Sequence, residues 1–174
     1  SSPFFAHSSA DFFLARRNGR CVGRIAAILN NNHNRFHGEK TSFFGFFEAI
    51  NDRDVSSALL DAAAHWGRKR GMNEMRGPMN YSTNESAGLL VDGFDTDPCI
   101  LMPHNPQYYG ELMESYGLEK AMDLYAWFLR TEKGLNSKII RVGEKVLREE
   151  GVVIRALNRK QFWDDVEVIK SIYN

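Results

Sequence analysis

Residues 11–29 read DFFLARRNGRCVGRIAAIL, two apolar runs joined by a short polar stretch that contains Asn18-Gly19. Asn-Gly between two such runs is the strongest short-range signal for a β-hairpin, because both central residues of a type I′ turn need a positive φ. The stretch therefore predicts two antiparallel strands connected by a tight turn.

A second apolar segment, Thr41–Ile50, follows a polar connection at residues 30–34. Its centre, Phe43-Phe44-Gly45-Phe46-Phe47, is apolar at successive positions instead of alternate ones. A strand that is apolar on both faces belongs in the middle of a sheet that is covered on both sides. The sequence predicts a central strand here, and a short strand over residues 74–79 that is limited by Pro78.

Between these two strands the apolar residues recur with the period of a helix. They fall at i, i+3, i+4, i+7, i+8 and i+11, which is one helical face: Val55, Ala58, Leu59, Ala62, Ala63 and Trp66. Asp54 is the expected N-cap and Gly71 the expected C′ residue, so a helix is predicted over residues 55–70.

The rest of the chain continues to mix helices with strands. Residues 80–104 are irregular, with a helical turn predicted at 86–91 and a short strand at 100–102. Asn105-Pro106 then opens a helix that closes at Gly117. Further on, a strand is predicted at 124–129, a helix at 137–149, a strand at 152–157 and a helix at 161–173. This order predicts an α/β (mixed α+β) fold with helices packed on a central sheet.

Composition and charge argue against several classes of function. The 174 residues contain 22 Lys and Arg and 22 Asp and Glu, so the formal net charge is zero. This balance argues against general electrostatic binding to nucleic acid or to an anionic membrane. No apolar run approaches the roughly 20 residues that span a bilayer, and no secretory signal is visible. With only Cys21 and Cys99, far apart, we expect reduced thiols in a cytoplasmic protein.

Three segments resemble the GNAT superfamily of acetyltransferases, and they occur in that family's order. Leu14–Arg24 is similar to its second and third strands, Val55–Gly71 to its cofactor helix, and Leu112–Leu118 to the end of its second conserved helix. The resemblance implies a mixed, largely antiparallel sheet flanked by helices. It places a GNAT-like domain over residues 1–131, without the family's usual first strand and helix.

The tail, residues 132–174, carries a second resemblance. Val152–Lys160 and the helix after it are similar to the first strand and helix of such a domain. The tail then either begins a second domain of a longer protein, of which this chain is a fragment, or completes the first domain by permutation or swapping. An unpaired sheet edge can take up a strand from another chain, so a homodimer through the sheet edge or by strand exchange is also expected.

The resemblance implies acetyl-CoA or another acyl-CoA as co-substrate. In the family, backbone N–H groups of a Gln/Arg-x-x-Gly-x-Gly/Ala loop hold the pyrophosphate, because a helix N-terminus has unpaired donors and a positive dipole end. The matching stretch is Asn51–Ser56, where Asp54 and Ser56 replace the glycines and Asp52 adds negative charge that Arg53 partly offsets. The expected cofactor contacts are Phe46, Phe47, Asn51, Arg53, Val55, Ser56 and Ser57.

Acyl transfer to an amine also needs a base, and a proton for the leaving thiolate. Glu48 lies among Phe residues on the central strand, where burial would make its carboxylate more basic, and His104 precedes a helix. Met113 occupies the position of the family's general-acid Tyr, which leaves Tyr109 and Tyr116, one turn away on either side, as candidates. The alternative is structural, with a surface Glu, a loop His and two core tyrosines.

Residues 80–104 form a longer interval than the family has at this point. As an insertion over the active-site mouth they would shape an acceptor pocket through Asn80, Ser82, Asn84 and Glu85, although turn chemistry alone also accounts for these residues. No metal site is expected, because the stretch from His33 to His37 is interpreted as a loop and offers no third ligand.

The sequence thus predicts an acyl-CoA-dependent N-acyltransferase in which an amine acceptor attacks the thioester directly. Positioning and a backbone oxyanion donor on the central strand would supply most of the catalysis. A non-catalytic GNAT-like domain that binds a ligand or a partner is the alternative. The missing glycines and Met113 favour it.

Overall fold

The computed structural model describes residues 2–128, 130, 134 and 136–173. They form two compact units, of which the first ends at Leu124 and the second begins at Tyr125. The first unit contains a four-stranded mixed sheet flanked by helices, and this sheet is open and does not close into a barrel. The predicted fold class is confirmed.

The predicted hairpin is formed by β1 (Ser8–Arg17) and β2 (Arg20–Asn30). The strands are antiparallel, with Ser8 opposite Asn30 and Arg17 opposite Arg20. Asn18 and Gly19 connect them with φ values of 51° and 78°, as a type I′ turn requires. The hairpin begins earlier in the chain than the predicted residue 11, after a short 3₁₀ helix at Pro3–Ala6.

The predicted central strand is also confirmed, as β3 (Thr41–Ala49). It pairs antiparallel with β2 and parallel with β4 (Glu74–Arg76), so the strand order is β1-β2-β3-β4. Both faces of β3 are covered, since Phe44 and Phe47 belong to one buried cluster and Phe43 to another. β4 is shorter than the predicted strand at 74–79.

A bulge interrupts the pairing of β2 with β3. Arg24 lies opposite Glu48 and Ala26 opposite Gly45, so the single residue between them on β2 faces Phe46 and Phe47 on β3. Phe46 has a φ of 48°, a left-handed conformation that is uncommon for a side chain of this size. The bulge lies directly before Glu48, and bulges of this kind bend a strand and increase its twist.

α1 (Asn31–His37) occupies most of the stretch that the sequence predicts to be a polar connection, and that prediction is wrong. The side chain of Asn30 accepts a hydrogen bond from the His33 N–H at 3.1 Å, and Gly38, with a φ of 67°, ends the helix. Asn is common in loops but is equally favourable as an N-cap, and here it caps. His33 Nε2 lies 3.1 Å from Glu39 Oε2. Within the described ranges, no three His, Cys, Asp or Glu side chains are arranged to hold a metal ion.

α2 (Arg53–Lys69) covers the sheet with a face that shares Val55, Leu59, Ala63 and Trp66 with the predicted one. Ala58, which the prediction placed on that face, is exposed, and Leu60 is buried in the core instead. Its N-cap is Asp52 and not the predicted Asp54, since Asp52 Oδ1 accepts from the Val55 N–H at 3.0 Å. Asp52 still has extended backbone, so its side chain can fold back onto the first turn, whereas Asp54 already lies inside that turn. The buried side chains of the helix are Val55, Ser56, Leu59, Leu60, Ala63, Ala64 and Trp66.

α3 (Tyr109–Tyr116) begins later than predicted, because Asn105 does not cap it. Asn105 accepts a hydrogen bond from the Leu90 N–H at 2.8 Å and donates one to the Leu90 C=O at 3.2 Å. These two bonds join the ends of the segment that runs from Leu90 to Asn105. Gly117, with a φ of 98°, ends the helix as predicted.

The predicted helical turn at 86–91 and the strand at 100–102 are not formed. An isolated bridge joins Met79 and Ala87, and the Met102 N–H donates to the Cys99 C=O at 3.1 Å to close a turn. Their backbone groups are used in local turns, so these short apolar runs do not build regular elements.

The second unit contains α4 (Ser137–Glu149) and α5 (Phe162–Tyr173), close to the positions predicted for helices. The strands predicted at 124–129 and 152–157 are wrong for the residues described there, which pair with no strand; Leu129 lies outside the described residues. An apolar run becomes a strand only where a second backbone takes its hydrogen bonds. Arg155, in the second of these runs, instead pairs with Asp165 at an Nη1–Oδ2 distance of 2.9 Å.

Candidate functional site

A pocket of about 120 Å³ lies in the first unit, beside the part of β3 that extends past its pairing with β4. β4 pairs with β3 only as far as Phe43, and the chain then leaves the sheet as the irregular segment that leads to α3. The pocket is therefore built from β3, this segment and the start of α3. Its lining comprises Arg24, Phe46, Phe47, Glu48, Pro78, Asn80, Ser86, Gly88, Leu89, Pro103, His104, Asn105 and Tyr109.

One wall depends on a close approach between β3 and the chain that follows β4. The Phe46 N–H donates to Asn80 Oδ1 at 2.7 Å, and the Asn80 N–H donates to the Ser86 C=O at 2.9 Å. A Cβ on Gly45 would overlap the Met79 carbonyl and would lie 3.0 Å from Asn80 Oδ1. Glycine at position 45 thus permits the contact that holds Asn80 in the pocket.

The carboxylate of Glu48, with Tyr109 and Arg24 beside it, forms the charged centre of the pocket. The Tyr109 hydroxyl lies 2.9 Å from Glu48 Oε2, and Arg24 Nη2 lies 3.7 Å from Glu48 Oε1. The sequence-based argument places Glu48 in a buried environment, but its side chain is 59% exposed, and that expectation is wrong. Side chains alternate along a strand, so Phe47 and Ala49 point into the core and Glu48 does not.

Tyr109, by contrast, is buried, with 4% of its surface exposed. Burial, together with the neighbouring Glu48 carboxylate, raises the pKa of Tyr109 to about 12. The hydroxyl therefore keeps its proton at neutral pH. It also accepts a hydrogen bond from the Ala49 N–H at 3.1 Å.

A second tyrosine fixes the start of α3 against the same strand. The Tyr108 hydroxyl donates to the Ala49 C=O at 2.9 Å, so both backbone groups of Ala49 are bonded to tyrosine hydroxyls. On this stretch of β3, side chains of α3 thus take the bonds that a neighbouring strand would otherwise make.

The structure brings together six of the predicted site residues in the pocket lining: Phe46, Phe47, Glu48, Asn80, His104 and Tyr109. Tyr116 lies elsewhere, on the face of α3 that contacts α2, where its hydroxyl donates to Asp61 Oδ1 at 2.7 Å. Burial and that acceptor raise the pKa of Tyr116 to about 12.

The other expected acceptor residues form a turn beyond Asn80. The Asn84 N–H donates to Ser82 Oγ at 3.2 Å, and the Glu85 N–H donates to the Ser82 C=O at 3.1 Å. Ser82, Asn84 and Glu85 shape the path of the chain back to Ser86, which does line the pocket.

The other residues expected to contact the cofactor lie at the start of α2. They are Asn51, Arg53, Val55, Ser56 and Ser57. The N–H groups of Val55 and Ser56 bond to the side-chain and backbone oxygens of Asp52, at 3.0 and 3.1 Å.

Ion pairs surround this helix start. Arg17 lies 2.7 Å from the Asp52 carboxylate, and Arg53 lies 2.6 Å from Glu111 on α3. The hydrogen bond from Arg17 holds the pKa of Asp52 below its usual range.

Sequence reasoning missed several lining residues: Arg24, Pro78, Ser86, Gly88, Leu89, Pro103 and Asn105. Arg24 had a usable signal, because antiparallel pairing of β2 with β3 places it directly opposite Glu48. The loop residues carried no such signal, since only the tertiary path of the segment brings them to β3.

Comparison with known proteins gives two relatives of the whole chain. It is 34% identical over 163 residues to protein YghO of Escherichia coli (strain K12), which covers 93% of this chain and 41% of that protein. It is 39% identical over 175 residues to a bacterial ceramide synthase of Caulobacter vibrioides (strain NA1000 / CB15N), which covers 100% of this chain and 45% of that protein. The chain thus spans less than half the length of these relatives. No protein-family model and no solved structure matches it.

Among the described residues, no helix combines the length and the apolar character that crossing a membrane requires.

Proposed function

We propose that the pocket beside Glu48 is the acceptor site of a GNAT-like acyltransferase, which moves an acyl group from acyl-CoA to an amine. The observation that carries the proposal is the Glu48 carboxylate, which is open to the pocket and held by Tyr109 and Arg24. A ceramide is an amide of a fatty acid with a long-chain amino alcohol. The similarity to a protein named bacterial ceramide synthase therefore supports acyl transfer to nitrogen.

Glu48 is suited to the role of general base. The amine nitrogen attacks the thioester carbonyl, a C–N bond forms, the C–S bond breaks, and Glu48 takes the proton that the nitrogen loses. The CoA thiolate leaves and is protonated from solvent. His104, which lines the same pocket, lies among the groups that face the incoming amine.

The lining also supports an amphiphilic acceptor. A volume of about 120 Å³ accommodates an amine head group with its nearest substituents but not a long chain. Glu48, Asn80 and His104 contribute polar groups to the lining, and Phe46, Phe47 and Leu89 contribute apolar ones. We propose a long-chain amine as the acceptor class.

The order of elements in the first unit supports the GNAT-like assignment. A hairpin, a central strand, a long helix, a short parallel strand and a second helix follow one another as the resemblance implies. The bulge in β3 lies directly before Glu48, and bulges are common next to active sites.

A GNAT-like binding domain without turnover is the second candidate, and the start of α2 favours it. Asp52 caps that helix from its own chain and occupies N–H donors that a pyrophosphate would otherwise use. In this case a ligand would bind without loss of its thioester.

The proposal is tested by the rate of CoA thiol release from palmitoyl-CoA, with and without sphinganine, in the intact protein. We expect release to depend on the amine, and Glu48→Gln to lower the rate by about 10²- to 10⁴-fold, the range of general base catalysis. Glu74→Gln is the matched control, because Glu74 is a half-exposed glutamate in an ion pair with Arg76 on β4. Amine-dependent release that is equal in both variants and the wild type would reject Glu48 as the base.

A further inference from the structure

We infer that Tyr109 is a positioning residue for the Glu48 base, which it orients through a hydrogen bond, and that it is not the acid that protonates the leaving thiolate. The inference rests on the proposed function, since it assigns a role toward Glu48. It concerns a different atom, the phenolic hydroxyl of Tyr109, and can fail while Glu48 remains the base.

The direction of the hydrogen bonds follows from what each group can do. The Ala49 N–H can only donate, so the Tyr109 oxygen accepts at that 3.1 Å contact. An ionised carboxylate can only accept, so the single hydroxyl proton of Tyr109 is directed at Glu48 Oε2 across 2.9 Å. The Tyr109 hydroxyl thus accepts one hydrogen bond from the Ala49 N–H and donates its proton to Glu48.

The surroundings hold this hydroxyl in place. The Tyr109 ring packs edge-on against Phe47, with 5.2 Å between ring centroids, and the side chain is buried. The Tyr108 hydroxyl binds the Ala49 C=O and fixes the first turn of α3 on β3. Tyr109 is therefore a rigid partner for Glu48. The glutamate is exposed, and without this hydrogen bond its long side chain would take several rotamers in water.

The protonation state of Tyr109 agrees with this role. Burial raises its pKa to about 12, so at the pH of an amine acylation the hydroxyl remains a donor. A group held that firmly in its protonated form orients its neighbour and is a poor source of protons for a thiolate.

Three other groups belong to any pH profile of this site. Arg24 on β2 lies 3.7 Å from Glu48 Oε1, His104 lines the pocket from the loop before α3, and Tyr108 adjoins Tyr109 on α3. The test therefore compares variants of the two tyrosines and leaves Arg24 and His104 unchanged.

The experiment measures kcat, KM for palmitoyl-CoA and the pH–rate profile with sphinganine, in the intact wild-type protein and in Tyr109→Phe. We expect kcat to fall roughly 10- to 100-fold, the size of a lost hydrogen bond to a charged group, while KM changes little. The alkaline limb of the profile should be retained, because the proton that reaches the leaving thiolate does not come from Tyr109. Tyr108→Phe removes a hydroxyl that bonds only to the Ala49 C=O and keeps the bond between Tyr109 and Glu48, so it should lower kcat by less than Tyr109→Phe does.

Each outcome decides the matter. An unchanged kcat in Tyr109→Phe overturns the inference, provided that Glu48→Gln has lost activity. A fall in kcat that is equally large in Tyr108→Phe also overturns it, since a general loss of packing would act in that way. A lost alkaline limb would instead identify Tyr109 as the acid. If Glu48→Gln retains full activity, the proposed function fails first, and the two failures are thereby distinguished.

Discussion

Replacing Gly45 with alanine is expected to disturb the stability of the first unit and the pocket together. The added Cβ would overlap the backbone carbonyl of Met79, and would lie 3.0 Å from the Asn80 Oδ1 that accepts the Phe46 N–H. The Met79 carbonyl is main chain and cannot swing aside as the end of a side chain can. The strand or the segment after β4 must therefore move.

The magnitude follows from two terms. Forcing a methyl group into a filled site costs about 1–3 kcal/mol, and weakening the hydrogen bond between Phe46 and Asn80 costs about 1 kcal/mol more. We expect Gly45→Ala to lower the free energy of unfolding by roughly 2–4 kcal/mol on these two grounds.

Urea denaturation of the intact protein, followed by far-UV circular dichroism, measures this change. Gly110→Ala is the matched control, since Gly110 lies in α3 of the same unit and its added Cβ would meet no atom within 4 Å. That variant should be neutral, or stabilised by up to about 1 kcal/mol through helix propensity. Equal unfolding midpoints for Gly45→Ala and the wild type would refute the close approach of β3 to Met79.

Two further predictions concern a carboxylate and a loop. Hydrogen bonds from Arg155 hold the pKa of Asp165 at about 2 in the folded chain, below its ordinary value of 3.8, so the stabilisation is complete above pH 4 and is lost as the pH falls toward 2. The difference in urea midpoint between the wild type and Asp165→Asn should therefore be largest near neutral pH and shrink on acidification; a difference that is constant with pH would contradict this pairing. Asn105→Ala removes both hydrogen bonds to Leu90 and should weaken the loop closure by about 1–2 kcal/mol. We expect faster hydrogen exchange at the Leu90 N–H and faster proteolysis between residues 90 and 104. Unchanged exchange at Leu90 would show that other contacts hold the loop.

The elements that the sequence predicted best are those that depend on local chemistry. Asn18-Gly19 dictates a turn with two positive φ values, and the apolar spacing in α2 identifies Val55, Leu59, Ala63 and Trp66 as buried. In both cases the residues that carry the signal are also the residues that make the structure.

The elements that the sequence predicted wrongly depend on a distant partner or on a competing local bond. The apolar runs at 124–129 and 152–157 have strand-like composition, but no backbone in the described chain pairs with them. Asn105 is of a residue type that often caps helices, but its side-chain amide accepts a hydrogen bond from the Leu90 N–H instead. The spacing of residues in the sequence gives no sign of this contact. The swapped homodimer and the second domain that the tail would begin stay predictions.

The residues of the candidate site also divide into those that the sequence could predict and those that depend on the tertiary structure. Glu48, Tyr109, His104 and Asn80 were named from residue type and position, and the structure brings all four to one pocket. The exposure of Glu48 matches the structural alternative and not the catalytic prediction, because a Phe-rich run does not reveal which of its residues points outward. The roles of these residues stay proposals until turnover is measured.

The measurement that tests the central claim most directly is the identity of the product. The intact protein is incubated with palmitoyl-CoA that carries ¹³C in its acyl chain, together with sphinganine, and the lipid extract is analysed by mass spectrometry. The account predicts a labelled amide that requires both substrates and accumulates with the free CoA thiol in equal amounts. Labelled fatty acid without amide, or intact thioester after prolonged incubation, would contradict it.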